Sequence, residues 1–106
     1  MTTKITFIFA NPEQPAAFEA AYADGYLDLV RALPGGVLVE SARVWPKEDG
    51  APTPAHRVVD VHFVDYEAAC AAVAGPEAQT LFPATFQLGA GVTILFTDVE
   101  VAEPLR

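Results

Sequence analysis

Basic residues are scarce. The 106-residue chain carries six Lys or Arg against 14 Asp or Glu, a formal net charge of −8. The six are scattered, at Lys4, Arg31, Arg43, Lys47, Arg57 and Arg106. No basic patch stands ready to neutralise phosphates, so neither nucleic acid nor an anionic membrane is an expected partner. Cysteine is nearly absent. The single Cys70 excludes an internal disulfide, and nothing around it has the spacing of a zinc site. It lies in an Ala-rich stretch without a basic neighbour and reads as an inert buried thiol. Histidine is limited to His56 and His62. Six apart on a strand, they share a face but sit roughly 20 Å from each other at about 3.3 Å per residue, so one metal cannot take both from one chain. No Gly-x-Gly-x-x-Gly or Walker pattern follows any strand, so no nucleotide cofactor is expected. Apolar runs stay far below the roughly 18 residues of a membrane span. The first residues, Met-Thr-Thr-Lys, pass straight into a strand pattern, which predicts no signal peptide and a cytoplasmic location.

Apolar residues are plentiful, 52% with seven Phe. Residues 1–106 are expected to form one domain with one modest core and apolar surface left for a partner or a ligand. Residues 3–10 are β-branched and aromatic and predict a first strand, with Ile5, Phe7 and Phe9 on one face. Pro15 suits the start of a helix. The helix is expected to run to about Leu33, with Phe18, Tyr22, Tyr26, Leu29 and Leu33 as its apolar stripe and Gly25 in its middle. Glu19, Asp24, Asp28 and Arg31 fall outside that stripe. Residues 37–45 and 56–64 predict two more strands, joined by an exposed connection rich in Pro and charge. Asp65 caps a second, Ala-rich helix. Gly75-Pro76 breaks it, and a short helical turn runs on to Leu81. Residues 83–91 read as a loop, 92–97 as a fourth strand, and the rest as an acidic tail.

The order β-α-β-β-α-β is the ferredoxin-like arrangement of the α+β class, a four-stranded antiparallel sheet with helices on one face. Strands two and three carry apolar residues on both faces, and the helices cover only one. The other face is expected to meet a second copy of the chain, forming a homodimer sheet to sheet.

Four stretches resemble the EthD-like family of the dimeric α+β barrel superfamily. They are Pro15-Ala16-Ala17-Phe18-Glu19-Ala20-Ala21-Tyr22; Leu33-Pro34-Gly35; Arg57-Val58-Val59-Asp60-Val61-His62-Phe63 with Asp65-Tyr66-Glu67-Ala68; and Gly89-Ala90-Gly91-Val92-Thr93-Ile94-Leu95-Phe96. The resemblance spans about residues 3–100. It implies a dimeric α+β barrel and a small-molecule enzyme, oxidoreductase- or monooxygenase-like or cyclase- or isomerase-like, working without a cofactor on an aromatic, polyketide-like or other small organic compound. One departure stands out. Members carry a pattern like Tyr-x-x-His-His-Leu-Pro-Leu in helix one, and this chain reads Tyr22-Ala23-Asp24-Gly25-Tyr26-Leu27-Asp28-Leu29. The loss of the histidines implies an alternative, a non-catalytic ligand-binding or accessory dimer.

Several residues are candidates for chemistry. Asp60 and His62 share a face of strand three. A register that sets Ser41 opposite Asp60 and Val39 opposite His62 groups an acid, a base and a hydroxyl, with His62 and Asp60 as the catalytic pair. A single His near an acid is common in ordinary cores, and the same residues suit a buried polar cluster at a dimer interface, or an exposed one. Tyr22 and Tyr26, one turn apart, either orient a phenol or a ketone or simply pack in the core. Trp45 and His56 flank the hairpin connection and form either a substrate mouth or a cover for the sheet end. Phe82 and Phe86 are read as a lid or as anchors of an irregular segment. The expected pocket lies between helix one and the sheet, lined by Phe7, Tyr22, Tyr26, His62 and Phe86, and takes a small apolar or aromatic ligand.

Overall fold

A computed structural model describes residues 2–105. The elements run β1 (Thr3–Phe9), α1 (Pro15–Ala23), α2 (Tyr26–Arg31), β2 (Leu38–Arg43), β3 (Arg57–Phe63), α3 (Tyr66–Ala74), α4 (Pro76–Phe86) and β4 (Val92–Asp98). The four strands form one antiparallel sheet in the order β2-β3-β1-β4. This is the ferredoxin-like α+β fold, with β1 and β3 central and β2 and β4 at the edges.

Alternation along the central strands sorts their side chains. Ile5, Phe7 and Phe9 of β1 and Val59, Val61 and Phe63 of β3 are wholly buried against the helices. Phe18, Tyr22, Tyr26, Val30 and Leu33 meet them from α1, α2 and the turn that follows. Phe9 stands edge-on to both Phe18 and Tyr26, with ring centroids 5.5 and 6.0 Å away. Such aromatic pairs add about 1 kcal/mol each to the area they bury. Ala69, Ala72, Ala78 and Leu81 close the other half of the layer. The small residues let α3 and α4 lie close to the sheet.

The expected single helix is broken. α1 ends at Ala23 and α2 begins at Tyr26, with Gly25 between them at φ +86°. That is the left-handed region, where a glycine avoids the roughly 1–2 kcal/mol that an L side chain incurs. The break rotates the stripe, so Val30 is buried where Leu29 was expected. Gly25→Ala is therefore expected to destabilise the fold by about 1 kcal/mol through backbone strain alone, since an added Cβ meets nothing within 4 Å. In an unbroken helix the same change stabilises by about 1 kcal/mol. The direction of the shift in thermal midpoint decides between the two.

Two further expectations give way. Residues 83–86 are helical: α4 carries Pro83 internally, and buried Leu81 and Thr85 hold the segment in register with the core. The hairpin register is displaced by one residue. Leu38 stands opposite His62, Glu40 opposite Asp60 and Ser41 opposite Val59. A one-residue slip exchanges the faces, so Ser41 lies on the helix side while Asp60 and His62 lie on the bare side. Among the described residues, no helix is long and apolar enough to cross a membrane.

Candidate functional site

The helices do not reach across the whole sheet. α1 and α2 cover β1 and β3 and leave the helix-side face of edge strand β2 open, so that Ser41 and Arg43 are exposed and Val39 only half covered. A groove runs along β2. Its middle is lined by Glu19, Tyr22, Gly25, Arg31 and Arg57, and one end by Val30, Leu33, Val39 and Val61. A separate cavity of about 440 Å³ lies at the β2–β3 connection, lined by residues including Asn11, Arg43, Trp45 and His56.

Arg57 organises the middle of the groove. It begins β3 with the same parity as Val59 and Val61, so its stem is directed into the helix layer. It donates from Nη2 to Glu19 Oε1 at 2.7 Å, from Nε to Glu19 Oε2 at 3.3 Å and from Nη1 to Ser41 Oγ at 3.3 Å. Its guanidinium lies 4.3 Å from the centre of the Tyr22 ring. The Tyr22 and Ser41 hydroxyls are hydrogen-bonded to each other. His56 donates from Nε2 to Glu19 Oε2 at 3.0 Å and stands edge-on to Phe18. Five side chains from α1, β2, β3 and the residue before β3 thus form one polar cluster at the rim of an aromatic core.

The Arg57 guanidinium holds the Glu19 carboxyl below its usual range, and the hydrogen bond from His56 adds to this against the opposing effect of burial. A carboxyl lowered in the folded state contributes stability that is present above its unfolded value, near 4.5, and is lost as pH falls through the lowered folded value. Glu19→Gln is therefore expected to reduce the thermal midpoint at pH 7. The difference from wild type should shrink as pH drops below about 4.5, which calorimetry from pH 3 to 7 checks.

The other expected site residues fall elsewhere. Tyr26 is sealed in the core, its hydroxyl 2.7 Å from Thr85 Oγ1, and burial pushes its phenol up to about 12. Phe7 is wholly buried beneath Phe82 and lines no opening. Phe86, at the end of α4, is 61% exposed and stacks on Phe82 on the far side of the helix layer from β2. His62 and Asp60 lie on the bare face and each has its own partner. His62 donates to Glu40 Oε1 at 2.7 Å, while Asp60 accepts from the Thr6 hydroxyl with Lys4 Nζ at 3.9 Å. The sheet stands between them and Tyr22, so a pocket combining Phe7, Tyr22, Tyr26, His62 and Phe86 does not exist. Ser41 joins Tyr22 and Arg57 rather than Asp60. Trp45 and His56 do line one cavity together. The Glu19–Arg57–His56 group escapes a reading by spacing because Glu19 lies off the apolar stripe. The available signal was Arg57, a charge placed on the core parity of a central strand, where it requires a partner.

Known proteins share this architecture. The chain is 34% identical over 103 residues to an uncharacterized 11.0 kDa protein from the thcB–thcC intergenic region of Rhodococcus erythropolis, covering 95% of this chain and 98% of that one. An EthD family protein from Bacillus halodurans superimposes with a TM-score of 0.85 at 20% identity, over 93% of this chain and 99% of the other. The chain belongs to the family of the Rhodococcus protein and carries the EthD-like fold. No protein-family model matches it. The EthD-like fold extends to SnoaB, a cofactor-independent oxygenase from Streptomyces nogalater (TM-score 0.60, 19% identity, 98% of this chain and 96% of the other). It also extends to a dimeric ferredoxin-like protein of unknown function from Bacteroides fragilis (TM-score 0.66, 10% identity, 92% and 96%). The fold is thus one that small-molecule enzymes use.

Proposed function

We propose that the groove along β2 is the active site of an enzyme acting on a small aromatic or polyketide-like compound, without a nucleotide or metal cofactor. One observation carries the reading. The Tyr22 and Ser41 hydroxyls and the Arg57 guanidinium meet at one spot beside an open depression, and the depression next to it is lined by Val30, Leu33, Val39 and Val61. Such a trio binds a carbonyl or phenol oxygen and stabilises negative charge that develops on it during enolisation or oxygenation. Donors already held by their neighbours need little reorganisation at the moment of reaction.

The functional unit in this proposal is a homodimer joined through the bare sheet faces. The chain is a slab of 41 × 39 × 18 Å, and its radius of gyration is 14.6 Å. A compact domain of about 100 residues has a radius near 13 Å. On the bare face Leu38 is 53% exposed and Leu95 43% exposed. A second slab covers them, and the Asp60 and His62 pairs then lie at the interface.

The second reading, a ligand-binding subunit without catalysis, is favoured by one feature: the groove offers no free base, because Glu19 is engaged by both Arg57 and His56. A panel of naphthols, hydroxyquinones and flavonoid-like phenols, incubated in air without cofactor and followed by mass spectrometry, separates the two. Turnover that falls about 100-fold in Tyr22→Phe or Ser41→Ala supports the enzyme. Saturable binding at the groove without turnover in the wild type establishes the binding subunit instead.

A further inference from the structure

Cations in this chain are few, and their pairing is uneven. Arg106 lies outside the described residues. Of the other five, Lys4 faces Asp60 at 3.9 Å, Arg31 faces Asp28 at 2.8 Å and Arg57 faces Glu19 at 2.7 Å. Among the described residues, Arg43 and Lys47 have no carboxylate within 4.0 Å. Both lie at the β2–β3 connection. Arg43 lines the 440 Å³ cavity, and Lys47 lies in the adjoining connection without lining it. In a chain of net charge −8, an unpaired Arg43 lining a cavity marks a place where a negative charge is missing.

The rest of the cavity fits a flat, apolar body. Trp45 is 86% exposed and offers a large aromatic face without a partner of its own, and Pro46, Pro52 and Val44 supply further apolar wall. Its volume falls within the roughly 300–1,000 Å³ of small-molecule sites. The wall is held in place. The Asn11 side chain donates to the Thr53 carbonyl, the Thr53 hydroxyl donates to the Ala55 carbonyl at 2.7 Å, and His56 N–H donates to the Phe9 carbonyl at 2.7 Å. Of the two acids in the connection, Asp49 is occupied by the Ala51 N–H at 2.9 Å, and neither Glu48 nor Asp49 lines the cavity.

We infer that this cavity is a subsite for the acidic end of a planar aromatic ligand, with Arg43 taking a carboxylate or phenolate and Trp45 covering the ring. The inference rests on reading the β2 groove as the ligand site, and it names the substrate class. Arg43 stands directly across from Arg57 in the β2–β3 register, and His56 lines the cavity while bonding Glu19. A ligand held at Arg43 and Trp45 therefore adjoins the Arg57–Tyr22–Ser41 cluster, with Arg43 as the boundary between them.

Trp45 is the only tryptophan, so its indole N–H gives a single resonance for titration. With the full chain at pH 7, 2-naphthoate is expected to shift that resonance saturably. Arg43→Gln should weaken 2-naphthoate about tenfold, the worth of one charge-assisted hydrogen bond, while leaving the neutral 2-naphthol unchanged. Arg43 is exposed, so the substitution leaves folding intact. Tyr22→Phe should weaken both probes. If Tyr22→Phe changes neither while Arg43→Gln still selects against the acid, the catalytic reading fails and the acid subsite stands. The subsite itself is overturned if 2-naphthoate and 2-naphthol bind the wild type equally, or if Arg43→Gln leaves 2-naphthoate unaffected.

Discussion

Arg57→Met is expected to lower the thermal midpoint by about 10 °C and to abolish ligand binding in the β2 groove. The size of the effect follows from what the guanidinium touches. It gives Glu19 two hydrogen bonds, gives Ser41 one and lies over the Tyr22 ring. Methionine keeps the apolar stem and removes all of these. Breaking a fully buried ion pair by removing one partner costs about 3–5 kcal/mol. Here the Glu19 side chain is 32% exposed and water recovers part of that, so about 2 kcal/mol is the appropriate scale. A domain of this size loses about 4–8 °C per kcal/mol. The double variant Glu19→Gln/Arg57→Met should be less destabilised than the sum of the single changes, because neither charge is then left alone. Binding should not recover in the double variant, since Ser41 and Tyr22 still lack their cation. Differential scanning calorimetry and a titration with 2-naphthol check both parts.

The second large effect concerns assembly. Leu38→Glu/Leu95→Glu is expected to turn a dimer into a monomer. Both leucines are on the bare face, Leu38 on edge strand β2 and Leu95 on edge strand β4. With about half of each side chain already in water, the substitutions cost the isolated chain little. Between two sheets, each glutamate is a charge removed from water without a partner, a penalty of several kcal/mol. The dissociation constant should rise by at least about 1,000-fold. Sedimentation velocity at micromolar concentration reads the change. A wild-type protein that sediments as a monomer, or a double variant that remains a dimer, contradicts the proposed interface.

The framework is legible in the sequence because its strongest signals are periodic. Alternation in residues 3–9 and 57–63 and the Phe18–Tyr22–Tyr26 spacing place the two central strands and the helical layer that covers them. Those side chains are the buried core. What is not legible depends on distances between segments. Pattern alone leaves the hairpin register open, because Val37-Leu38-Val39 and Val58-Val59 are apolar at consecutive positions and either parity buries a hydrophobe. The connection between β2 and β3 is also too long to fix the pairing by turn geometry. That single step sends Ser41 to one face and Asp60 to the other, and with it the expected catalytic grouping dissolves. The helix break at Gly25 is hidden because apolar spacings of four, four and three fit an unbroken helix equally well. Pro83 reads as a loop residue because its penalty is local, while the burial of Leu81 and Thr85 that offsets it is not visible along the chain.

The groove and the bare face are on opposite sides of one sheet, which makes their roles separable. Backbone amide shift mapping of the full chain with 2-naphthol decides whether ligand enters the groove at all. Perturbations are expected to concentrate at Tyr22, Gly25, Ser41 and Arg57. Perturbations confined to Lys4, Glu40, Asp60 and His62 would place the ligand on the bare face and contradict the groove as the site.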